Sequence, residues 1–242
     1  MTPQKGYRRG YAVAALTGIE ETQAAIWKVF SNVVKPEKTV QLSGARSDPK
    51  ALYNFHEAVV NALRPTMKEG VRSIILASPA RTNYAEQFRQ HIRSHHSWLM
   101  QGPSKATVCE MTGSATTPTE VTVLTRNPQF QKIIAQTTEE ETENLLELLE
   151  KRLNTSSQDP LVLYSLEEAE DHIYSPWKPG KPKPDYLLLT DTYLSGNRQK
   201  NRLHRLMQVA INKQVKTRIV KADSPTGKRI TQLSGIVCLQ NV

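Results

Sequence analysis

Ser73-Ile74-Ile75-Leu76-Ala77, with Ser78-Pro79 directly behind it, decides how the first half of the chain is read. The apolar run is too short for a helix and is bounded by Gly70 and Pro79, so it reads as a short buried strand. Upstream, Asp48-Pro49 offers an N-cap acceptor followed by proline at the first helical position. Leu52, Phe55, Val59 and Leu63 then recur at three- and four-residue steps, which predicts a helix that Pro65 and Gly70 end. Three strands are expected before it, at Tyr11–Leu16, Ala24–Phe30 and Lys38–Leu42, with Ser43–Ser47 as a polar loop. Downstream, Ser78-Pro79 is expected to open a second helix to about His96, and Ala106–Met111 a further strand ended by the breaker cluster Thr112–Pro118. This β-β-β-α-β-α-β succession describes one α/β layered unit.

A second unit follows. Glu120–Gln136 reads as a helical connector, so the first domain is taken as residues 1–136 and the second as 137–242. Thr138 and Glu141 have the spacing of a capping box, with Leu145, Leu148, Leu149 and Leu153 as the stripe behind it. Tyr186-Leu-Leu-Leu-Thr190 is the clearest buried strand of this half. Helices are expected over Leu161–Ile173, Asn197–Lys213 and Gly227–Leu233, and strands over Thr217–Lys221 and Ile236–Leu239. That alternation predicts a three-layer unit with a mostly parallel sheet.

The 242 residues carry 32 Lys and Arg against 23 Asp and Glu, a net charge of +9. Such an excess favours a polyanionic partner, because neutralising phosphates releases condensed counterions. No run approaches the roughly 18 apolar residues that span a bilayer, so no membrane partner is expected. Met1–Tyr11 lacks the apolar segment of a secretory signal. The expected location is the cytoplasm, with a mitochondrial address as the alternative. Cys109 and Cys238 sit far apart in apolar runs and read as two buried thiols, which excludes a disulfide framework.

Reactive motifs are scarce. No Walker A loop, dinucleotide fingerprint or Gly-x-Ser-x-Gly elbow surrounds Ser78, Ser114 or Ser234. Glu20, Glu21, Asp48 and Glu57 are scattered over the predicted elements of the first unit. His91, His95 and His96 invite a metal reading, since i and i+4 share a helix face. Without a carboxylate or cysteine at supporting spacing, they are taken as exposed or helix-end histidines, and no metal or other cofactor is expected. Two basic sets stand out in the second half. Arg198, Lys200, Arg202, Arg205 and Lys213 lie along one predicted helix, with Arg198, Arg202 and Arg205 as the partner-binding candidates. Lys178-Pro-Gly-Lys181-Pro-Lys183, preceded by Trp177, is a proline-stiffened loop whose Lys178, Lys181 and Lys183 can follow an RNA backbone.

Three stretches, taken in order, resemble one family. They are Ile74-Ile-Leu-Ala-Ser-Pro79 with Glu86-Gln-Phe88; Tyr164-Ser-Leu166 and Ala169 with Tyr186-Leu-Leu-Leu-Thr-Asp191 and Leu194; and Gly227-Lys-Arg-Ile-Thr-Gln-Leu233-Ser-Gly235-Ile-Val237. The colinear set, over Tyr7 to Leu239, is similar to the central and C-terminal domains of Pelota, a relative of the archaeal and eukaryotic class-one release factors. The resemblance implies an RNase-H-like mixed-sheet central domain and a three-layer α/β/α C-terminal domain. It also implies binding of stalled ribosomes (rRNA and tRNA) with a translational GTPase, and later an ABC-type recycling ATPase. Such proteins begin with an Sm-like domain, and the residues ahead of Tyr7 are too few to build one.

Release factors of this superfamily carry a Gly-Gly-Gln tip between the third strand and the long helix. Here Leu42-Ser-Gly-Ala-Arg-Ser47 stands at that place, without the tripeptide. Pelota-like proteins present a basic stretch there instead, which assigns Lys38, Arg46 and Lys50 as phosphate contacts that position without reading sequence. The expectation is therefore a non-catalytic translation factor of ribosome rescue and mRNA surveillance. The alternative is a structural or adaptor subunit of a mitochondrial ribosomal particle.

Overall fold

A computed structural model describes residues 11–241 apart from 32, 102–104, 158 and 178. The chain divides into two compact units, residues 1–67 with 71–141, and residues 68–70 with 142–242.

In the first unit β1 (Ala12–Ile19), β2 (Gln23–Phe30) and β3 (Val34–Gln41) form an antiparallel meander. β4 (Ser73–Ser78) and β5 (Thr107–Thr112) extend the sheet in parallel from the other side of β1, giving the order β3-β2-β1-β4-β5. This is the mixed sheet expected of the first unit. Side-chain alternation splits its core into two layers. Ala15, Ile19, Ile74 and Leu76 pack with Phe55, Val59 and Leu63 of α1 (Pro49–Lys68) and with Phe88 and Ile92 of α2 (Tyr84–His95). Ala14, Leu16, Ile75 and Ala77 pack with Val121 and Leu124 of α3 (Pro118–Arg126) and Phe130 of α4 (Pro128–Leu153). Burying each of the larger side chains contributes about 1.5–3 kcal/mol, and a strand apolar on both faces collects it twice. Gly18 is required where the loop before α3 crosses β1, since a Cβ there would stand 2.2 Å from the Ala115 carbonyl oxygen. Trp27 fixes the same crossing by donating its indole N–H to that oxygen at 2.7 Å.

The second unit has the sheet order β6-β9-β7-β8, from β6 (Val162–Leu163), β7 (Pro184–Thr190), β8 (Lys216–Val220) and β9 (Ile236–Gln240). Tyr186, Leu188, Val220, Val237 and Leu239 meet Leu145 and Leu149 of α4 and Ile230 of α8 (Pro225–Gln232). Leu187 and Leu189, on the alternate face of β7, are equally buried. α5 (Leu166–Tyr174) packs against β7, β9 and α7 (Lys200–Asn212), the short α6 (Asp191–Gly196) leads out of β7, and α7 packs against β8, completing three α/β/α layers.

Several expectations are corrected. α1 runs through Pro65 to Lys68, because Thr66 and Met67 beyond it are buried and packing outweighs the proline's cost of about 3 kcal/mol. Ser78-Pro79 starts no helix. Ser78 still pairs with Thr112, the Pro79 carbonyl accepts the Thr82 hydroxyl at 2.7 Å, and Arg81 sits at φ 65°, so α2 begins at Tyr84. Thr138 and Glu141 lie inside α4 rather than at a cap, and Glu141 accepts the Ser73 hydroxyl at 3.0 Å. The capping boxes are Thr117 with Glu120 and Ser165 with Glu168. The residues expected to open a helix at Leu161 instead form β6, and α5 starts at Leu166. The second sheet is mixed, not mostly parallel: only β7 and β8 run together, while β9 is antiparallel to β6 and β7. The tight turn before β9 places Ser234 at φ 92° and Gly235 at φ 90°, and the sequence carries no period that reports it. Cys238 is buried, its thiol pushed up to about 12 chiefly by burial, but Cys109 is only half-buried. Among the described residues no helix is long and apolar enough to cross a membrane.

Candidate functional site

The loop between β3 and α1, residues 42–48, is drawn tightly against its own unit. Leu42 donates its backbone N–H to the Thr22 carbonyl at 2.7 Å, and Asp48 donates to Ala45 at 3.0 Å. Arg46 does most of the fastening. Its Nη1 donates to the carbonyls of Glu20 and Glu21 at 3.2 Å each, and its guanidinium lies 3.9 Å from the centre of the Tyr84 ring. Burial lowers its pKa, opposed by Tyr84 and Glu21. Arg46 is therefore held by protein groups, whereas Lys38 on β3 and Lys50 in the first turn of α1 are exposed.

The second unit treats its cations likewise. Arg202 donates Nε to Glu170 at 2.8 and 2.9 Å, with Nη2 on the same carboxylate and Nη1 on Gln199. Lys213 caps α5, giving its ammonium to the carbonyls of Ile173, Tyr174 and Ser175 at 2.7, 3.2 and 3.1 Å. Lys181 pairs with Asp159 at 3.0 Å. Arg198 stands in the turn before α7 rather than on the helix, and it is exposed, as are Arg205 and Lys183. Lys178 lies outside the described residues. The eight basic candidates among the described residues thus divide into the held Arg46, Lys181 and Arg202 and the exposed, unpaired Lys38, Lys50, Lys183, Arg198 and Arg205. The exposed ones belong to separate units, Lys38 and Lys50 to the first and Lys183, Arg198 and Arg205 to the second.

The most concentrated polar chemistry lies elsewhere, between α1 and α2. Glu57 on α1 turns one carboxylate oxygen, Oε1, toward two imidazoles: His91 Nε2 at 3.0 Å and His96 Nε2 at 2.7 Å. Both histidines are buried, each 7% exposed, which corrects their reading as exposed residues; His96 does stand at the helix end, as the C-cap of α2, and of the three only His95 is exposed. Burial lowers the pKa of His91, opposed by its bond to Glu57. The Glu57 carboxyl is held below its ordinary value by His96 and His91, against burial, the largest single influence on it. Beside them His56 is 3% exposed, its pKa lowered to about 3 chiefly by burial, and its Nε2 has no partner. A groove of about 570 Å³ opens here, lined among others by Tyr53, His56, Gln87, His91 and His95. The ligating atoms of Glu57, His91 and His96 all lie within 4.8 Å of one another. The sequence concealed this because Glu57 stands 34 and 39 residues from its partners. The expected scatter of Glu20, Glu21, Asp48 and Glu57 hid a carboxylate that α1 directs at two imidazoles.

Neither a family model nor a curated protein matches the chain. Solved structures do. Ribosome-bound archaeal Pelota, described with ABCE1, superposes over 100% of this chain and 64% of its own with a TM-score of 0.52 and 16% identity. Dom34 of S. cerevisiae, a translation termination-like factor involved in RNA quality control and interacting with Hbs1, gives 0.48 and 18% over 97% of this chain and 65% of its own. Archaeoglobus fulgidus Pelota gives 0.40 and 19% over 96% and 65%. The chain spans just under two thirds of the length of these proteins, and its fold is the Pelota fold.

Proposed function

We propose, from the Pelota-type fold that extends over the whole chain, that this protein is a translation factor binding stalled ribosomes or tRNA in ribosome rescue and mRNA surveillance. In this reading it performs no chemistry on the peptidyl-tRNA bond. The β3–α1 loop supports that part: it is short, lacks the Gly-Gly-Gln tripeptide and is bound down by Arg46, leaving no free arm to reach a distant ester. A translational GTPase is the proposed partner, with an ABC-type ATPase following. The exposed cations Lys38 and Lys50 on the first unit and Lys183, Arg198 and Arg205 on the second act as phosphate contacts, which supply affinity and position rather than sequence choice.

The test is pelleting of the full chain with purified ribosomes across a salt series. Affinity should fall steeply with salt, because each neutralised phosphate releases counterions. The double variant Lys38→Glu, Lys50→Glu should weaken binding and reduce the log–log salt slope by roughly one to two, about one per lost contact. Affinity indifferent to salt would sink the reading, and association that persists through high salt without any GTPase would instead identify a permanent subunit of a ribosomal particle.

A further inference from the structure

Three independent features meet between α1 and α2. A carboxylate oxygen faces two imidazole nitrogens, those imidazoles are buried, and a third buried imidazole next to them has an unpartnered Nε2. Six histidines occur in the chain, and His56, His91, His95 and His96 gather here, with ring centroids of neighbouring pairs 4.8–5.5 Å apart. Burying a polar group with too few partners costs free energy, and here one carboxylate oxygen serves both His91 and His96 while His56 Nε2 has none.

We propose that Glu57, His91 and His96 form a binding site for a zinc-class divalent transition metal, which pins α1 to α2. Two imidazole nitrogens and a carboxylate oxygen are a donor set for zinc and its neighbours rather than for calcium or magnesium, which demand oxygen. Bonds of about 2.0–2.2 Å in a tetrahedron place ligand atoms roughly 3.3 Å apart. The contacts of 2.7 and 3.0 Å therefore open by a few tenths of an ångström around an ion, and the two imidazole nitrogens, within 4.8 Å of each other, close by up to about 1.5 Å. Binding requires each imidazole to present the Nε2 lone pair, so the proton now directed at Glu57 moves to Nδ1, and the carboxylate gives its oxygen to the metal instead. No net proton is released if both rings start neutral. The fourth position goes to water, as in three-ligand zinc sites.

The frame is stiff enough to hold such a site. Glu57 lies between Phe55 and Val59, both anchored in the core, and His91 precedes the fully buried Ile92. His96 sits just past α2, its N–H on the Ile92 carbonyl and its own carbonyl accepting Leu99 N–H, at 2.8 Å each. Ligands locked by packing lose little freedom on binding.

Zinc and cobalt(II) titrations of the chelator-stripped full chain decide the matter. The expected result is one equivalent bound, visible cobalt absorption of a low-coordinate site, and a melting temperature that rises with zinc. His91→Ala, His96→Ala and the shape-preserving Glu57→Gln should each weaken binding at least about tenfold, since even partners behind a metal ligand cost 10–100-fold. His95→Ala should leave affinity unchanged. Two results overturn the proposal: no stoichiometric metal in the wild-type chain, or binding that His95→Ala abolishes and Glu57→Gln spares. The latter would assign the metal to the His91–His95 pair of α2.

Discussion

The two units solve the same packing problem, a sheet apolar on both faces, yet they differ in how they neutralise their buried charged and titratable groups. The first pairs Lys28 with Glu37 and Arg89 with Glu110, and beside these it gathers imidazoles around the single carboxylate of Glu57. The second matches cations to acids: Asp185 holds Arg152 at 2.7 Å and Lys216 at 2.8 Å, Glu170 holds Arg202, and Glu150 holds Arg229 at 2.6 Å. The difference shows why a net charge of +9 overstates the surface available to a polyanion. In the second unit much of the positive charge along α7 and β8 already has a carboxylate or a helix C-terminus.

The sharpest way to break the contrast is Asp185→Ala. The Arg152 side chain is 9% exposed, and removing its acid leaves one buried guanidinium and one ammonium uncompensated. Breaking such a pair costs about 3 kcal/mol, read as lost hydrogen-exchange protection in β7 and β8. The pH dependence has a definite sign. The folded-state pKa of Asp185 is lowered from 3.8: burial would raise it, and the bonds from Lys216 and Arg152 prevail. Its contribution is therefore complete above the unfolded value and lost as pH falls through the folded one, so acid unfolding below about pH 4 should be blunted in the variant.

Arg46→Ala addresses the first unit. If the guanidinium serves mainly to fasten residues 42–48, the variant loses two hydrogen bonds and the stacking on Tyr84, about 1.5 kcal/mol. Exchange should rise in that loop, while ribosome affinity falls much less than in the Lys38 and Lys50 double variant. An equal fall in affinity with unchanged loop protection would return Arg46 to the phosphate-contact set.

How legible this was in the sequence depends on the range of each signal. Ile74–Ala77 and Tyr186–Leu189 announced buried strands because a continuous apolar run has no other short explanation. The period of α1 from Leu52 to Leu63 was equally plain, whereas its passage through Pro65 was settled by the burial of Met67, a tertiary fact. β6 is two residues long and exists only because Leu239 and Cys238 pair with it. The Glu57 cluster failed to show for the same reason: its partners are distant in sequence, and His91, His95 and His96 advertised a helix face rather than the buried contact that His91 and His96 make.

Glu150→Gln should give the smallest effect. The pair with Arg229 has the same charges as the one at Asp185, but both side chains remain 37–38% exposed, so water already screens the attraction and solvates whichever partner is left. Its loss should cost about 0.5 kcal/mol or less and fade with added salt. Set against Asp185→Ala, the two variants hold the chemistry nearly constant and change the burial. A ratio near one would mean that desolvation plays no part in the second unit's ion pairs, and that the contrast with the imidazole cluster is one of composition rather than of environment.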